Sequence, residues 1–133
     1  MNANIAMQTY RKTKTEGNIE DASPTQLIVS LFDGALECIS SAEGAMHRND
    51  LAGAGESIGK AMKIIDGLDV HLNHEAGGDI ARNLSQLYEY MTSLLLQANI
   101  RRDSQLLDEA SALLKEVREG WVAIPEDIAS ERE

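Results

Sequence analysis

The sequence contains few cysteines and prolines, and this scarcity restricts the folds open to it. Its single cysteine, Cys38, excludes an intramolecular disulfide. Its two prolines, Pro24 and Pro125, lie near opposite ends, and no run of alternating β-branched residues occurs between them. We therefore expect this interval to be almost wholly helical. With 133 residues, the chain is long enough for one domain with a hydrophobic core.

Basic residues and long apolar runs are also scarce. Twelve Lys and Arg residues against 22 Asp and Glu residues give a formal net charge of −10. This charge argues against nucleic acid or an anionic membrane as the main partner. No stretch reaches the roughly 20 apolar residues of a membrane span, and the N-terminus lacks the apolar core of a secretory signal. We therefore expect a cytoplasmic protein that does not insert into a membrane.

Four amphipathic segments are predicted between the two prolines. The first helix is expected at 24–47, with Ser23 as its cap and Gln26 completing a capping box. Its apolar face covers nearly half of the circumference, so it should contact two or more neighbours. The other helices are expected at 50–73, 79–100 and 104–124, with caps at Asn49 or Asp50, at Asp79 and at Asp103. The seam predicted for the third helix is Ile80, Leu84, Leu87, Met91, Leu94 and Ala98.

The short connections between these segments determine the expected fold. A connection of a few residues cannot return the chain along a helix that is roughly 35 Å long, so consecutive helices must be antiparallel neighbours. We expect an all-α, up-down-up-down four-helix bundle over residues 23–125. We expect residues 1–22 to be an N-terminal segment that is flexible or docked on the bundle, and residues 126–133 to be an acidic C-terminal tail.

The sequence offers little support for catalysis or metal binding. His71 and His74 adjoin Glu75, but they fall at a helix end and lack further ligands at suitable spacing. The predicted seams contain no carboxylates, which a di-metal centre inside a bundle requires. Cys38, inside a predicted helix, is interpreted as a small buried apolar residue. We expect no enzyme activity, no catalytic residues, no metal and no cofactor.

Glycines inside the second helix point to a binding surface. Gly53, Gly55 and Gly59 each cost about 1 kcal/mol relative to alanine in a helix interior. A strip about 120° from the seam of this helix consists of Ala52, Gly55, Gly59 and Met62. A strip about 70–80° from the seam of the third helix consists of Ala81, Tyr88 and Leu95. We interpret the two strips as a groove for a guest helix; the alternative is that they pack against neighbours within the bundle.

The N-terminal segment carries a short apolar patch. Ile5, Met7 and Tyr10 are too few to fold alone. They could dock in the groove when no guest is bound, and the alternative is a frayed terminus.

Several motifs together resemble the family of flagellar secretion chaperones, FliS. Tyr10 is followed by "ASPTQLIVSLFDGAL", and "GKAMKIIDGL" lies in the second predicted helix. "GGDIARNLSQLYEYM" opens the third helix, and Trp121 lies near the end of the fourth. The resemblance covers nearly the whole chain. It implies a cytosolic helical bundle that holds flagellin before export.

The resemblance also implies two protein partners. The C-terminal segment of flagellin is expected to wrap around the bundle, which blocks premature polymerisation. The N-terminal segment, with Ile5 and Tyr10, is expected to contribute to docking at the cytosolic domain of the flagellar type III export gate. The remaining alternative is a helix-binding adaptor or regulator with a different protein partner.

Overall fold

The computed structural model describes residues 23–123, which form four helices. They are α1 (Pro24–His47), α2 (Leu51–Val70), α3 (His74–Arg101) and α4 (Ser104–Ala123). Both α1 and α3 pack against α2 and α4, so α1 and α3 are diagonal to each other, as are α2 and α4. The predicted all-α four-helix bundle is confirmed, and the wide apolar face of α1 has the two neighbours that its width requires. None of the four helices is long and apolar enough to cross a membrane.

Three predicted caps are present. Ser23 and Gln26 form the capping box, with Gln26 N–H donating to Ser23 Oγ at 3.1 Å and Ser23 N–H donating to Gln26 Oε1 at 2.9 Å. Asp50 Oδ1 accepts a hydrogen bond from Gly53 N–H at 3.0 Å, and Asp103 Oδ1 accepts from the backbone two residues later at 2.9 Å. These local bonds satisfy backbone donors that the first turn of a helix leaves without partners.

The third helix begins earlier than predicted. Asn73 Oδ1 accepts a hydrogen bond from Ala76 N–H at 3.1 Å and caps a first turn that begins at His74. This turn is separated from the rest of α3 by a kink at Gly78, where φ is 52° and ψ is −124°. Asp79, predicted as the cap, instead pairs with Arg82 one turn later. Sequence periodicity could not show this start, because the extra turn adds no residue to the core.

Replacing Gly78 with alanine is expected to destabilise the bundle. A side chain at this positive φ is strained even though no atom lies within 4 Å of the position that its Cβ would take. The expected loss is about 1–3 kcal/mol in the free energy of unfolding, measured by urea denaturation. Gly120→Ala is the matched control, because Gly120 lies in α4 with the same open surroundings. It should gain up to about 1 kcal/mol, and similar behaviour of the two variants would contradict the assigned strain.

The core runs along the bundle axis and joins the diagonal helices. Phe32 of α1 and Tyr88 of α3 are buried, with ring centroids 6.3 Å apart and planes tilted by 48°. At the edge of α1 and α4, Arg118 Nε donates to Asp33 Oδ1 at 2.6 Å. Cys38 is half-buried against the core, and burial raises the pKa of its thiol. The largest fully buried side chains are Leu31, Phe32, Ile39, Ile58, Ile65, Tyr88, Met91, Leu95, Leu107 and Leu114.

Candidate functional site

The predicted strip on α2 lies mainly on the surface. Ala52 is exposed, Gly55 and Gly59 are partly exposed, and no atom lies within 4 Å of a Cβ built on Gly59. Gly55 faces the neighbouring helix, because a Cβ at that position would lie 3.5 Å from Asn99 Oδ1 of α3. Met62 is partly buried and packs against the core. The glycine part of the predicted strip is therefore accessible, beside α3.

The predicted strip on α3 is not open. Ala81, Tyr88 and Leu95 have exposed fractions of 3%, 1% and 0%, so the expectation that they flank an open groove is wrong. These positions are seven residues apart and face the bundle axis, which lets Tyr88 reach Phe32 across the core. The first residue of the predicted seam, Ile80, is 71% exposed. The other residues of that seam are buried or half-buried, so α3 buries most of the predicted seam together with the strip that contains Tyr88.

Two residues that the sequence interpretation missed lie beside the α2 glycines. Leu96 and Ile100 of α3 are 48% and 70% exposed. They lie one turn apart and next to Asn99, which faces Gly55. Helical periodicity placed both residues outside the predicted seam of the third helix. Apolar residues in excess of that seam were the signal in the sequence that could have identified them. Exposed apolar residues that cluster on one face are typical of protein-binding surfaces.

These residues define what we call the α2–α3 surface. It consists of Ala52, Gly55, Gly59, Leu96, Asn99 and Ile100. Glycines permit the close approach of another backbone, while Leu96 and Ile100 offer apolar area to its side chains. Asn99 adds one polar side chain that could fix a partner's position. The surface is suited to an amphipathic helix and has no group suited to general acid–base chemistry.

A second concave region lies between α1 and α4. It is a cleft of about 310 Å³ lined by Leu36, Glu37, Ser40, Glu43, Ser111 and Lys115. A hydrogen bond to Asp108 raises the pKa of Glu43, and partial desolvation and the neighbouring negative charge act in the same direction.

Within residues 23–123, no three His, Cys, Asp or Glu side chains converge to hold a metal ion. His71 and His74 are therefore not joined by a third such side chain from the described residues.

The interaction between Glu43 and Asp108 predicts that Glu43→Gln has a pH-dependent effect on stability. Because the folded state raises the pKa of Glu43, its stabilising contribution is present at acidic pH and is lost as the pH rises through that pKa. At pH 7 the glutamine should remove repulsion with Asp108 and raise the Tm by about 1–2 °C. The difference should disappear near pH 4. Glu56→Gln, on the exposed face of α2, is the control; an equal gain there at pH 7 would show that only net charge matters.

The predicted N-terminal contact residues are not part of this geometry. Ile5, Met7 and Tyr10 lie outside the described residues. Their assignment to docking or groove covering therefore stays a prediction.

Comparison with known proteins gives a consistent result over most of the chain. The family described as flagellar protein FliS matches residues 6–127. Flagellar secretion chaperone FliSB of Pseudomonas aeruginosa is 47% identical over 124 residues, covering 93% of this chain and 98% of that protein. Flagellar secretion chaperone FliS of Salmonella typhimurium is 43% identical over 119 residues, covering 89% of this chain and 88% of that protein. The Bacillus subtilis protein of the same name is 29% identical over 117 residues, covering 88% of this chain and 86% of that protein.

Proposed function

Because the chain belongs to the FliS family of flagellar proteins, we propose that it is a cytoplasmic export chaperone that binds the C-terminal segment of flagellin. The observation that carries the proposal is the accessible α2–α3 surface, where Gly55 and Gly59 of α2 lie beside α3, the helix that exposes Leu96 and Ile100. We propose no catalytic role, no cofactor, and neither nucleic acid nor a membrane as a partner.

The physical task of such a chaperone is to cover an apolar surface. The C-terminal segment of flagellin is amphipathic, disordered when free, and associates with other copies in the filament. A helix formed by this segment on the α2–α3 surface would bury its apolar face and withhold it from other flagellin molecules. Ordering the segment costs conformational entropy, so binding remains weak enough per unit area for later release to the export apparatus.

The local shape favours a helical guest over an extended one. Backbone groups in the interior of α2 and α3 are committed to their own helices, so the surface offers no strand edge for a guest to extend. Contact must come from side chains and from close packing over Gly55 and Gly59. A helix with small residues facing the glycines and larger apolar residues facing Leu96 and Ile100 satisfies both conditions.

Calorimetric titration with flagellin tests the proposal. Intact flagellin should bind the full chain in a 1:1 complex, and flagellin without its C-terminal segment should show no measurable heat of binding. Light scattering should show that one equivalent of the chain suppresses filament growth. Equal binding of intact and truncated flagellin would contradict the proposed guest. A pull-down from lysate that retrieves another dominant partner would favour the alternative, a helix-binding adaptor or regulator.

The N-terminal segment is proposed to alternate between the bundle and the export gate. In this proposal Ile5, Met7 and Tyr10 cover apolar surface in the empty chaperone, and flagellin displaces them. The released segment then contributes to docking at the cytosolic domain of the gate.

Removal of residues 1–15 should separate the two interactions. Flagellin affinity should stay the same or increase, because a competitor is lost, while binding of the flagellin complex to the gate domain should weaken at least tenfold. Both affinities can be measured by calorimetry. Removal of residues 126–133 is the control and should leave both unchanged. A truncated chain that no longer holds flagellin would show that the segment belongs to the guest site.

A further inference from the structure

Thr25, in the first turn of α1, carries a buried hydroxyl that lacks a hydrogen-bond partner. The residue is 9% exposed, and its Oγ1 makes no hydrogen bond to any group in residues 23–123. A buried hydroxyl without a partner destabilises a fold. The backbone N–H of Thr25 also has no partner inside the helix, because it belongs to the first turn. Thr25 therefore offers two donors to an acceptor.

The surroundings of Thr25 favour an acceptor that is negatively charged. The N-terminus of a helix carries a partial positive charge, and the first turn of α1 contains no Asp or Glu. In the capping box, Ser23 and Gln26 bond to each other's backbone and leave Thr25 out. A carboxylate oxygen suits both the free donors and the partial charge.

The packing of α1 against α4 shows which part of the chain lies level with Thr25. Arg118 Nε donates to Asp33 Oδ1 at 2.6 Å, and the side chains of Glu43 and Asp108 are hydrogen-bonded to each other. A step of ten residues along α1 is thus matched by a step of ten residues in the opposite direction along α4. The two helices are antiparallel in a one-to-one register.

This register places Glu126 level with Thr25. Thr25 precedes Glu43 by 18 residues, which is five helical turns, so both lie on the same side of α1. Glu126 follows Asp108 by the same 18 residues in the direction of α4. The structure describes α4 as far as Ala123, and three further residues span at most about 10 Å. The Glu126 carboxylate is therefore within reach of the start of α1, whether or not the helix continues.

We propose that the hydroxyl and the backbone N–H of Thr25 bind the carboxylate of Glu126, so that the C-terminal tail closes this end of the bundle against α1. Both donors gain an acceptor, and the negative charge lies at the positive end of the helix. Glu126 then has a structural role that the other acidic residues of the tail do not share. The inference concerns the empty chain and does not depend on which protein the bundle binds.

Thermal unfolding of the full chain tests the contact. Thr25→Val removes the hydroxyl and nearly keeps the shape of the side chain. It should lower the Tm by about 3 °C, because a hydrogen bond to a charged group is lost. If the hydroxyl had no acceptor, the same substitution would raise the Tm by removing a buried polar group. Glu126→Ala should lower the Tm by a similar amount.

A double variant and a matched control identify the acceptor. Thr25→Val combined with Glu126→Ala should have a Tm within about 1 °C of either single variant, because all three remove the same interaction. Asp21→Ala is the control, since it removes the same charge just before the cap. Its effect should add to that of Thr25→Val. Far-ultraviolet circular dichroism before heating checks that each variant is folded.

Three results would overturn the proposal. The first is a Tm that is unchanged or higher in Thr25→Val. The second is a pair of losses for Thr25→Val and Glu126→Ala that simply add, which would show that the two residues act independently. The third is a non-additive effect with Asp21→Ala in place of Glu126→Ala, which would assign the acceptor to the segment before α1.

Discussion

Replacing Tyr88 with alanine is expected to lower the free energy of unfolding by about 3–5 kcal/mol. The side chain is 1% exposed and its ring meets Phe32 of the diagonal helix, so its removal leaves a cavity where α1 and α3 approach each other. Such a loss is a large part of the roughly 5–15 kcal/mol that typically stabilises a domain. Urea denaturation at pH 7, monitored by circular dichroism, measures it directly.

Tyr90 provides the control for this result. It lies on the same helix but is 48% exposed, and its hydroxyl donates to Glu109 Oε2 of α4 at 2.7 Å. Tyr90→Ala should cost no more than about 1 kcal/mol, because little buried area and one exposed hydrogen bond are lost. If the two tyrosines cost the same, Tyr88 does not have the structural role assigned to it. The comparison also tests the correction to the predicted groove, since a core residue affects stability and a groove residue affects binding.

Replacing Gly59 with tryptophan is expected to weaken flagellin binding at least tenfold, equivalent to about 1.4 kcal/mol. A Cβ at Gly59 meets nothing within 4 Å, so the indole should lie on the α2–α3 surface without disturbing the core. It would occupy the space that the guest backbone needs. Calorimetric titration with intact flagellin measures the loss, and an unchanged far-ultraviolet circular dichroism spectrum establishes that the bundle is intact.

Gly120→Trp is the matched control for the groove substitution. Gly120 is also a helical glycine with no atom within 4 Å of a Cβ, but it lies on α4, away from the α2–α3 surface. Its replacement should leave flagellin affinity within twofold of wild type. Weakening by both variants would indicate a guest site elsewhere or a general effect of an added indole. Substitution of Met62 is less informative, because that side chain packs against the core and its loss also affects stability.

The helices and most caps could be predicted because their determinants are local. Ser23, Asp50 and Asp103 each bond to the backbone within three residues, so the sequence around them contains the full signal. The width of the buried face of α3 was harder to predict because it depends on the whole bundle. Ile80 and Ala81 begin adjacent apolar strips, and most of both strips is buried. The second strip includes Tyr88, whose contact with Phe32 joins positions 56 residues apart in the chain.

The candidate site could be predicted only in part for the same reason. Unusual glycines mark α2 in the sequence, and Gly55 and Gly59 do lie at an accessible surface. The matching residues of α3 depend on how much of its circumference is buried, so a buried strip was chosen and Leu96 and Ile100 were missed. Their exposure becomes informative only once the rest of α3 is in place. What distinguishes this surface is apolar area that the four helices leave uncovered.

Site-specific photocrosslinking tests the central claim most directly. A photoreactive amino acid is placed at Leu96, on the α2–α3 surface, or at Glu116, exposed on α4, and each full chain is irradiated with flagellin. The account predicts that the chain labelled at position 96 crosslinks to the C-terminal segment of flagellin, as located by mass spectrometry, and that the chain labelled at 116 does not. Crosslinking from position 116 with none from position 96 would contradict it.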